Sequence, residues 1–349
     1  MIRKYFSGSF IISGIGLILA AGIGWIYSHT LAGLLQGLMV AVILALLEVS
    51  LSFDNAIVNA VVLRDMTPQW RHRFLTWGML IAVFGMRLVF PLVIVTAVSG
   101  VSPWAALKMA AFAPDEYAAI MLQAHLQVSA FGGSFLMLVA LKFFYDKNKH
   151  EHWITWLEKP VALLGRVKAV EVGITLAFLM IVGRQVEPDH RLPFLYAGLM
   201  GVLIFLAVDG LGEWLETAGG PTKNAQRASA GLFIYLEVLD ASFSFDGVVG
   251  AFAITHNLFI IMIGLSIGAF FVRSLTMMFV EQQTLARFLY LEHGAFYAIG
   301  ALAIIMMLDP ILHLPEWFTG LIGAGIIVLA LIWSVTKNPK GLSARMKSK

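Results

Sequence analysis

Cysteine is absent from all 349 residues, which excludes disulfides, thiolate metal centres and cysteine catalysis. Charge is also scarce. Asp, Glu, Lys and Arg make up 13% of the chain, where soluble domains carry about 25%. Hydrophobic residues reach 59% and the mean hydropathy is +0.84, the composition of a chain that dissolves in lipid. No stretch is polar enough for a separate soluble domain, and no low-complexity tract occurs. The small positive balance, +3 with a pI near 9.0, is better explained by membrane topology than by nucleic acid. The opening "MIRKYFSGSFIISGIGLILAAGIGWIYSH" has a basic start and a long apolar run without a clear A-x-A site, as expected of a signal anchor.

A helix needs about 20 apolar residues to cross a bilayer. Hydropathy places spans at 9–27, 33–63, 74–98, 129–145, 168–183, 192–211, 230–255, 257–281, 294–309 and 317–335. Three of these are short, so nine or ten transmembrane helices of an all-α membrane protein are expected. With the N-terminus inside, all but five of the 24 basic residues fall on the inner side. Lys108, Arg184 and Arg191 lie outside, and Arg87 and Arg273 lie within spans. The outer stretch 99–128 is expected to be a loop with room for an amphipathic or re-entrant piece. The inner loop 146–167 holds His150 and His152, which read as ordinary surface in a basic loop.

Against this lipid-like background, "LEVSLSFDNA" (Leu47 to Ala56) and "LDASFSFDGV" (Leu239 to Val248) each carry two acids six positions apart. Downstream, "GMLIAVFGMR" and "GLSIGAFFVR" align as well, placing Arg87 against Arg273. The sequence thus divides into a first repeat at 33–145, an inner loop with connecting helices at 146–229, a second repeat at 230–309, and a last helix with a basic tail at 310–349. The two acid-bearing spans are the second and seventh. An odd separation inserts them in opposite orientation, and inverted repeats with interrupted helices point to a transporter with its site at the repeat interface.

A carboxylate at the bilayer centre costs roughly 2.5–3.5 kcal/mol on insertion scales. Four facing lipid would cost about 10–14 kcal/mol, comparable with the whole stability of many proteins. The acids must therefore face the protein interior, a watery cavity or a counter-charge. On an unbroken helix Glu48, Ser52, Asn55 and Asn59 share one face, and Glu237, Asp240, Ser244 and Gly247 share another. Asp54 and Asp246 lie about 120° from their partner acids. Unwinding at Asp-Asn and Asp-Gly, poor helix formers, would bring them to the same centre. Carboxylate, amide, hydroxyl and carbonyl oxygens suit a hard divalent cation. The expected ligands are Glu48, Asp54, Asn55, Asp240 and Asp246, with Ser52, Ser244, Glu237, Arg87 and Arg273 in support. Two arginines cannot balance five intramembrane acids, so a cation or protons are needed. Asp209 and Glu213, at i and i+4, form a secondary candidate as an access site near the inner end of the sixth span.

"LEVSLSFDNAIV" followed by "GMLIAVFGMRLVFPLVI" resembles the TerC family of integral membrane proteins. "EVLDASFSFDGVVGAF" with "EHGAFYAIGALA" resembles its longer branch. The resemblance covers most of residues 40–310. It implies a lysine-exporter-like transporter fold and metal-ion export, chiefly of manganese, with a link to tellurite resistance; calcium or magnesium also suits the oxygen ligands. It carries the acidic motif onto Glu48, Asp54 and Asn55, and onto Asp240 and Asp246, where Gly247 replaces the asparagine. The implied partners are the bilayer, the metal ion and exchanged protons. The expected location is the bacterial cytoplasmic membrane with both termini cytoplasmic. No enzymatic activity and no resident cofactor are expected. An intramembrane aspartyl protease would explain the paired Asp54 and Asp246, but the Gly-x-Gly-Asp context is missing. A non-transporting membrane scaffold in the stress response would also accommodate this composition, as would an oxyanion carrier using the two arginines.

Overall fold

The computed structural model describes residues 2–146, 151–164, 169–217, 221–282, 284–312, 314 and 316–337. Among these there is no strand. The first third holds α1 (Ile2–Ser28), α2 (Leu31–Leu51), α3 (Phe53–Arg64) and α4 (Pro68–Leu80). A π-helical stretch, Ile81–Val89, continues directly into α5 (Phe90–Ser99). Next come α6 (Pro103–Phe112), α7 (Pro114–Tyr145), α8 (Thr155–Leu164), α9 (Val170–Gly183) and α10 (Pro188–Thr217). The last third holds α11 (Pro221–Ile254), α12 (Leu258–Glu281), α13 (Thr284–Arg287), α14 (Leu291–Leu312) and α15 (Glu316–Lys337).

Among the described residues eight helical segments are long and apolar enough to cross a membrane, and the chain is an integral all-α membrane protein. Each of the ten expected spans coincides with helix, but the count by length and hydropathy is eight rather than ten. α9 is apolar but has only 14 residues, and α11 carries Glu237, Asp240 and Asp246. Ile18 on α1, Leu203 on α10 and Ile332 on α15 are among many large apolar side chains left open to the surroundings, as lipid-facing positions should be. The interior is packed with aromatics. Phe143 of α7 stacks on Phe296 of α14 with ring centroids 3.9 Å apart.

The long helices alternate in direction, and contacts between their ends identify the two faces. On one face Tyr5 donates to Glu281 at 2.9 Å, and the Thr67 amide donates to Ser229 Oγ at 2.9 Å. On the opposite face Tyr27 donates to the Ala111 carbonyl at 2.7 Å, and His256 meets Asp115 at 2.6 Å. The Thr67–Ser229 bond ties the end of α3 to the start of α11. The two acid motifs therefore run antiparallel, as an inverted repeat requires.

Three expectations about local structure need correction. The stretch 99–128 is helical rather than a loop. Ser102 accepts the Ala105 amide and starts α6, then Pro114 with Asp115 and Glu116 in the first turn starts α7. The span expected at 129–145 is thus the second half of a 32-residue helix. The second acid motif is not interrupted: α11 passes through Asp246-Gly247 without a break. One glycine in a helix costs only about 1 kcal/mol, which packing on neighbouring helices offsets.

A candidate cation site between the acid-bearing helices

The first motif does break, two residues before the expected Asp-Asn step. Ser52 leaves helical geometry at φ −98° and ψ 18°, while its amide still bonds to the Glu48 carbonyl at 2.9 Å. Glu48 therefore closes α2 and Asp54 opens α3, where a carboxylate meets unpaired amides and the positive end of the helix dipole. Asp54 Oδ1 accepts the Asn55 amide at 2.8 Å. Ser52 Oγ turns back to donate to Glu48 Oε1 at 3.3 Å.

Glu48 is 5% exposed and is paired with Arg87, itself 2% exposed, through Nη2 and Oε1. Arg87 lies in the π-helical stretch, a geometry often found at functional sites. Its Nη1 donates to the Ala82 carbonyl at 2.6 Å. α12 approaches Glu48 closely enough that a Cβ at Gly268 would sit 2.5 Å from Glu48 Cβ. The glycine is required by this contact.

Across the antiparallel crossing, Asn55 Nδ2 donates to Asp240 Oδ1 of α11 at 2.7 Å. This bond links the two motifs directly. Arg273 of α12, the counterpart of Arg87, closes on no carboxylate within ion-pair distance among the described residues. Its guanidinium lies 4.2 Å from the centre of the Phe74 ring, and its Nε and Nη2 have no hydrogen-bond partner. Glu237 Oε1 is likewise unpartnered. Both side chains crowd the space a Cβ at Gly78 would take.

Two small cavities flank Glu48, each of about 30 Å³, the share of one water molecule in the liquid. One is lined by Glu48, Asn55, Asn59, Asp240, Arg87 and Arg273. Asn55 and Asn59 are nearly fully buried, and the amide oxygen of each lacks a hydrogen-bond partner. The other holds Glu48, Ser52 and Asp54, walled by Gly247 of α11 and by Thr319, Gly320 and Gly323 of α15. A Cβ at Gly247 would lie 3.5 Å from Glu48 Oε2, and one at Gly323 would lie 3.6 Å from Asp54 Oδ2. Bare backbone thus faces both acids.

The fold therefore gathers Glu48, Ser52, Asp54, Asn55, Asn59, Asp240, Arg87 and Arg273 at one crossing, with Glu237 beside Arg273. Ser244 is buried on α11, and its hydroxyl has no partner. The Asp246 backbone lies in α11, but its side chain is outside those described. Among the described residues no three His, Asp or Glu side chains converge tightly enough to hold a metal, so the acids stand beside one another rather than on a common point. Asp209 is bound by Lys142 of α7, Glu213 is exposed, and neither lines these cavities.

Sequence reasoning missed the wall supplied by α15, whose Thr319 and Gly323 carry no local signal. It also missed a further buried carboxylate, in the loop read as surface. Glu158 of α8, 1% exposed, accepts the Trp153 and Ile154 amides at 3.2 and 3.1 Å and the Tyr297 hydroxyl at 3.2 Å. His152 and His293 stand 3.3 and 3.5 Å away. His152 is thus packed against the helix bundle, whereas His150 lies outside the described residues.

Residues 53–341 match the model of a family described as protein of unknown function (DUF475). The match includes Asp54, Asn55, Arg87, Asp240 and Arg273 and begins five residues after Glu48. No curated protein and no solved structure is significantly similar to the chain. With more than three quarters of its length covered, the chain belongs to the DUF475 family.

Proposed function

We propose that this member of the DUF475 family is a membrane transporter that carries a divalent metal cation, manganese foremost, by alternating access of its two antiparallel halves. The observation that carries the reading is the cavity between α3, α11 and α12. There two buried amide oxygens without partners, from Asn55 and Asn59, face the same space as Glu48 and Asp240. An orphaned buried oxygen costs about 1–3 kcal/mol unless a ligand or water meets it. Oxygen-only donors select manganese, magnesium or calcium over metals that recruit sulfur or imidazole.

Arg87 and Arg273 make the described arrangement a locked one. Arg87 holds Glu48, and its positive charge occupies the place of the cation. Binding then requires Arg87 to release Glu48, after which Glu48, Asp54, Asn55, Asn59 and Asp240 become available as ligands. Asp246 joins them by its place in the second motif. Protons returning to these carboxylates would help release the metal, because ligation requires the deprotonated form. Outward transport rests on the resemblance to the TerC family, as does manganese before the other two ions.

The test is cellular manganese, with magnesium, calcium and zinc in parallel, in cells expressing the intact protein, Asp54→Asn or Asp240→Asn under manganese load at matched membrane levels. Lower manganese with the intact protein alone supports the reading. An unchanged metal pool with folded protein present contradicts it and favours a scaffold.

One observation favours a second reading. Arg87 Nε and Arg273 Nε and Nη2 are buried donors without partners, the geometry an oxyanion such as tellurite would meet. In that case Arg273→Gln, rather than Asp54→Asn, would abolish transport, and tellurite rather than manganese would be the ion moved.

A further inference from the structure

The largest cavity among those described lies outside the acid cluster. It encloses about 410 Å³, room for about a dozen water molecules. Its walls come from α2, α7, α11, α14 and α15, near the ends of the last four on the face opposite the termini. Most of the lining is apolar: Leu47, Leu122, Val249, Ile254 and Ile305 are typical. Two titratable side chains from different helices meet inside it. His125 Nδ1 of α7 stands 3.2 Å from Asp309 Oδ2 of α14. On its other edge His125 Nε2 lies 3.3 Å from Ser129 Oγ. No other titratable side chain occurs among the described residues that line the cavity from α2, α11 or α15.

This vestibule adjoins the acid site. Thr319 lines both the vestibule and the small cavity that holds Glu48 and Asp54. Leu47 lines the vestibule, and its neighbour Glu48 lines the inner cavity.

We propose that His125 and Asp309 form a proton port, through which protons pass between the face opposite the termini and the Glu48/Asp54 carboxylates. The inference rests on the transport reading above and adds to it the route and groups of the coupling ion. An imidazole–carboxylate pair is the side-chain combination best suited to exchange protons near neutral pH. A proton leaving the imidazolium passes by vestibule water to a carboxylate, and the neutral imidazole regains one from solvent, so charge and atoms balance. A metal ion would not follow the same path easily. His125 and Asp309, even with the Ser129 and Thr319 hydroxyls, fall short of a divalent cation's shell of six to eight oxygens.

The experiment uses the full-length protein in liposomes with Mn2+ as the probe. Net Mn2+ movement driven by a pH gradient is compared with Mn2+/Mn2+ exchange at equal pH, which needs no net proton transfer. His125→Gln and Asp309→Asn should lower net movement by about a hundredfold, the low end of what a positioned proton-transfer group contributes. Exchange should persist. Because the chain has no native cysteine, Ala253→Cys, at an exposed position of the vestibule wall, supplies a unique thiol. It should react with a membrane-impermeant maleimide from the face opposite the termini and not from the other. Unchanged gradient-driven movement in both variants would overturn the proposal, as would equal loss of exchange or labelling from the wrong face. If the parent protein moves no Mn2+ in either assay, the transport reading itself fails and the port falls with it. An active parent with insensitive variants rejects the port alone.

Discussion

The two halves carry the same motif and solve its burial differently. In the first, α2 breaks at Ser52, the arginine-bearing helix widens into π geometry, and Glu48 and Arg87 close on each other. In the second, α11 and α12 run without a break, Arg273 rests on the Phe74 ring, and Glu237 Oε1 and Arg273 Nη2 remain unpartnered. The difference teaches where the restraint lies. The first half holds a closed ion pair, which in the proposed transport cycle must open for a cation to enter, while in the second half the corresponding acid and arginine stay apart. Asn55, on the first motif, supplies the hydrogen bond that Asp240 lacks in its own half.

This asymmetry is open to attack by mutation. Arg87→Gln should cost the most, about 3–5 kcal/mol, because it strands a buried carboxylate. A thermal melt of the purified protein in detergent reads it, and a loss no greater than that of Arg273→Gln would erase the contrast. Gly268→Ala, which forces a methyl against Glu48, should cost about 1–3 kcal/mol, and the same melt checks it. Asn55→Ala removes the partner of Asp240 and should cost about 1–3 kcal/mol. Its melt should rise when Mn2+ is added less than that of the parent does. Arg273→Gln forfeits a cation–π contact worth about 1–2 kcal/mol when desolvated, so its melt should shift less than that of Arg87→Gln. Ser244→Ala removes a hydroxyl with no partner and should leave the melting temperature unchanged or slightly raised.

Much of this organisation is legible in the sequence, and the limits of legibility have physical causes. Apolar run length located a helix for every expected span, because in lipid backbone groups must be satisfied within the segment. Glu48, Asn55 and Asn59, which helical phase places on one face of an unbroken helix, line the cavity on the Asp240 side although the helix breaks at Ser52. The start of α7 was written in Pro114-Asp115-Glu116, a proline at the first turn followed by two acids, and was obscured by the low hydropathy around it. The missing break at Asp246-Gly247 reflects tertiary packing overriding a weak local propensity. The π-helical stretch at Arg87, the α15 wall and the capture of Glu158 by Tyr297 and His293 depend on partners far along the chain. No window of sequence carries them.

The central claim is that one divalent cation binds between the antiparallel acid motifs. Titrating the purified full-length protein with Mn2+ while following the free-ion electron paramagnetic resonance signal addresses it most directly. The account predicts loss of about one equivalent of free Mn2+ per chain, since the two cavities of about 30 Å³ share Glu48 and so draw on one set of ligands. Asp54→Asn and Asp240→Asn should each weaken binding by about tenfold or more, as expected when a direct ligand is removed. Saturable binding that survives both substitutions unchanged, or no binding by the intact protein, would contradict it.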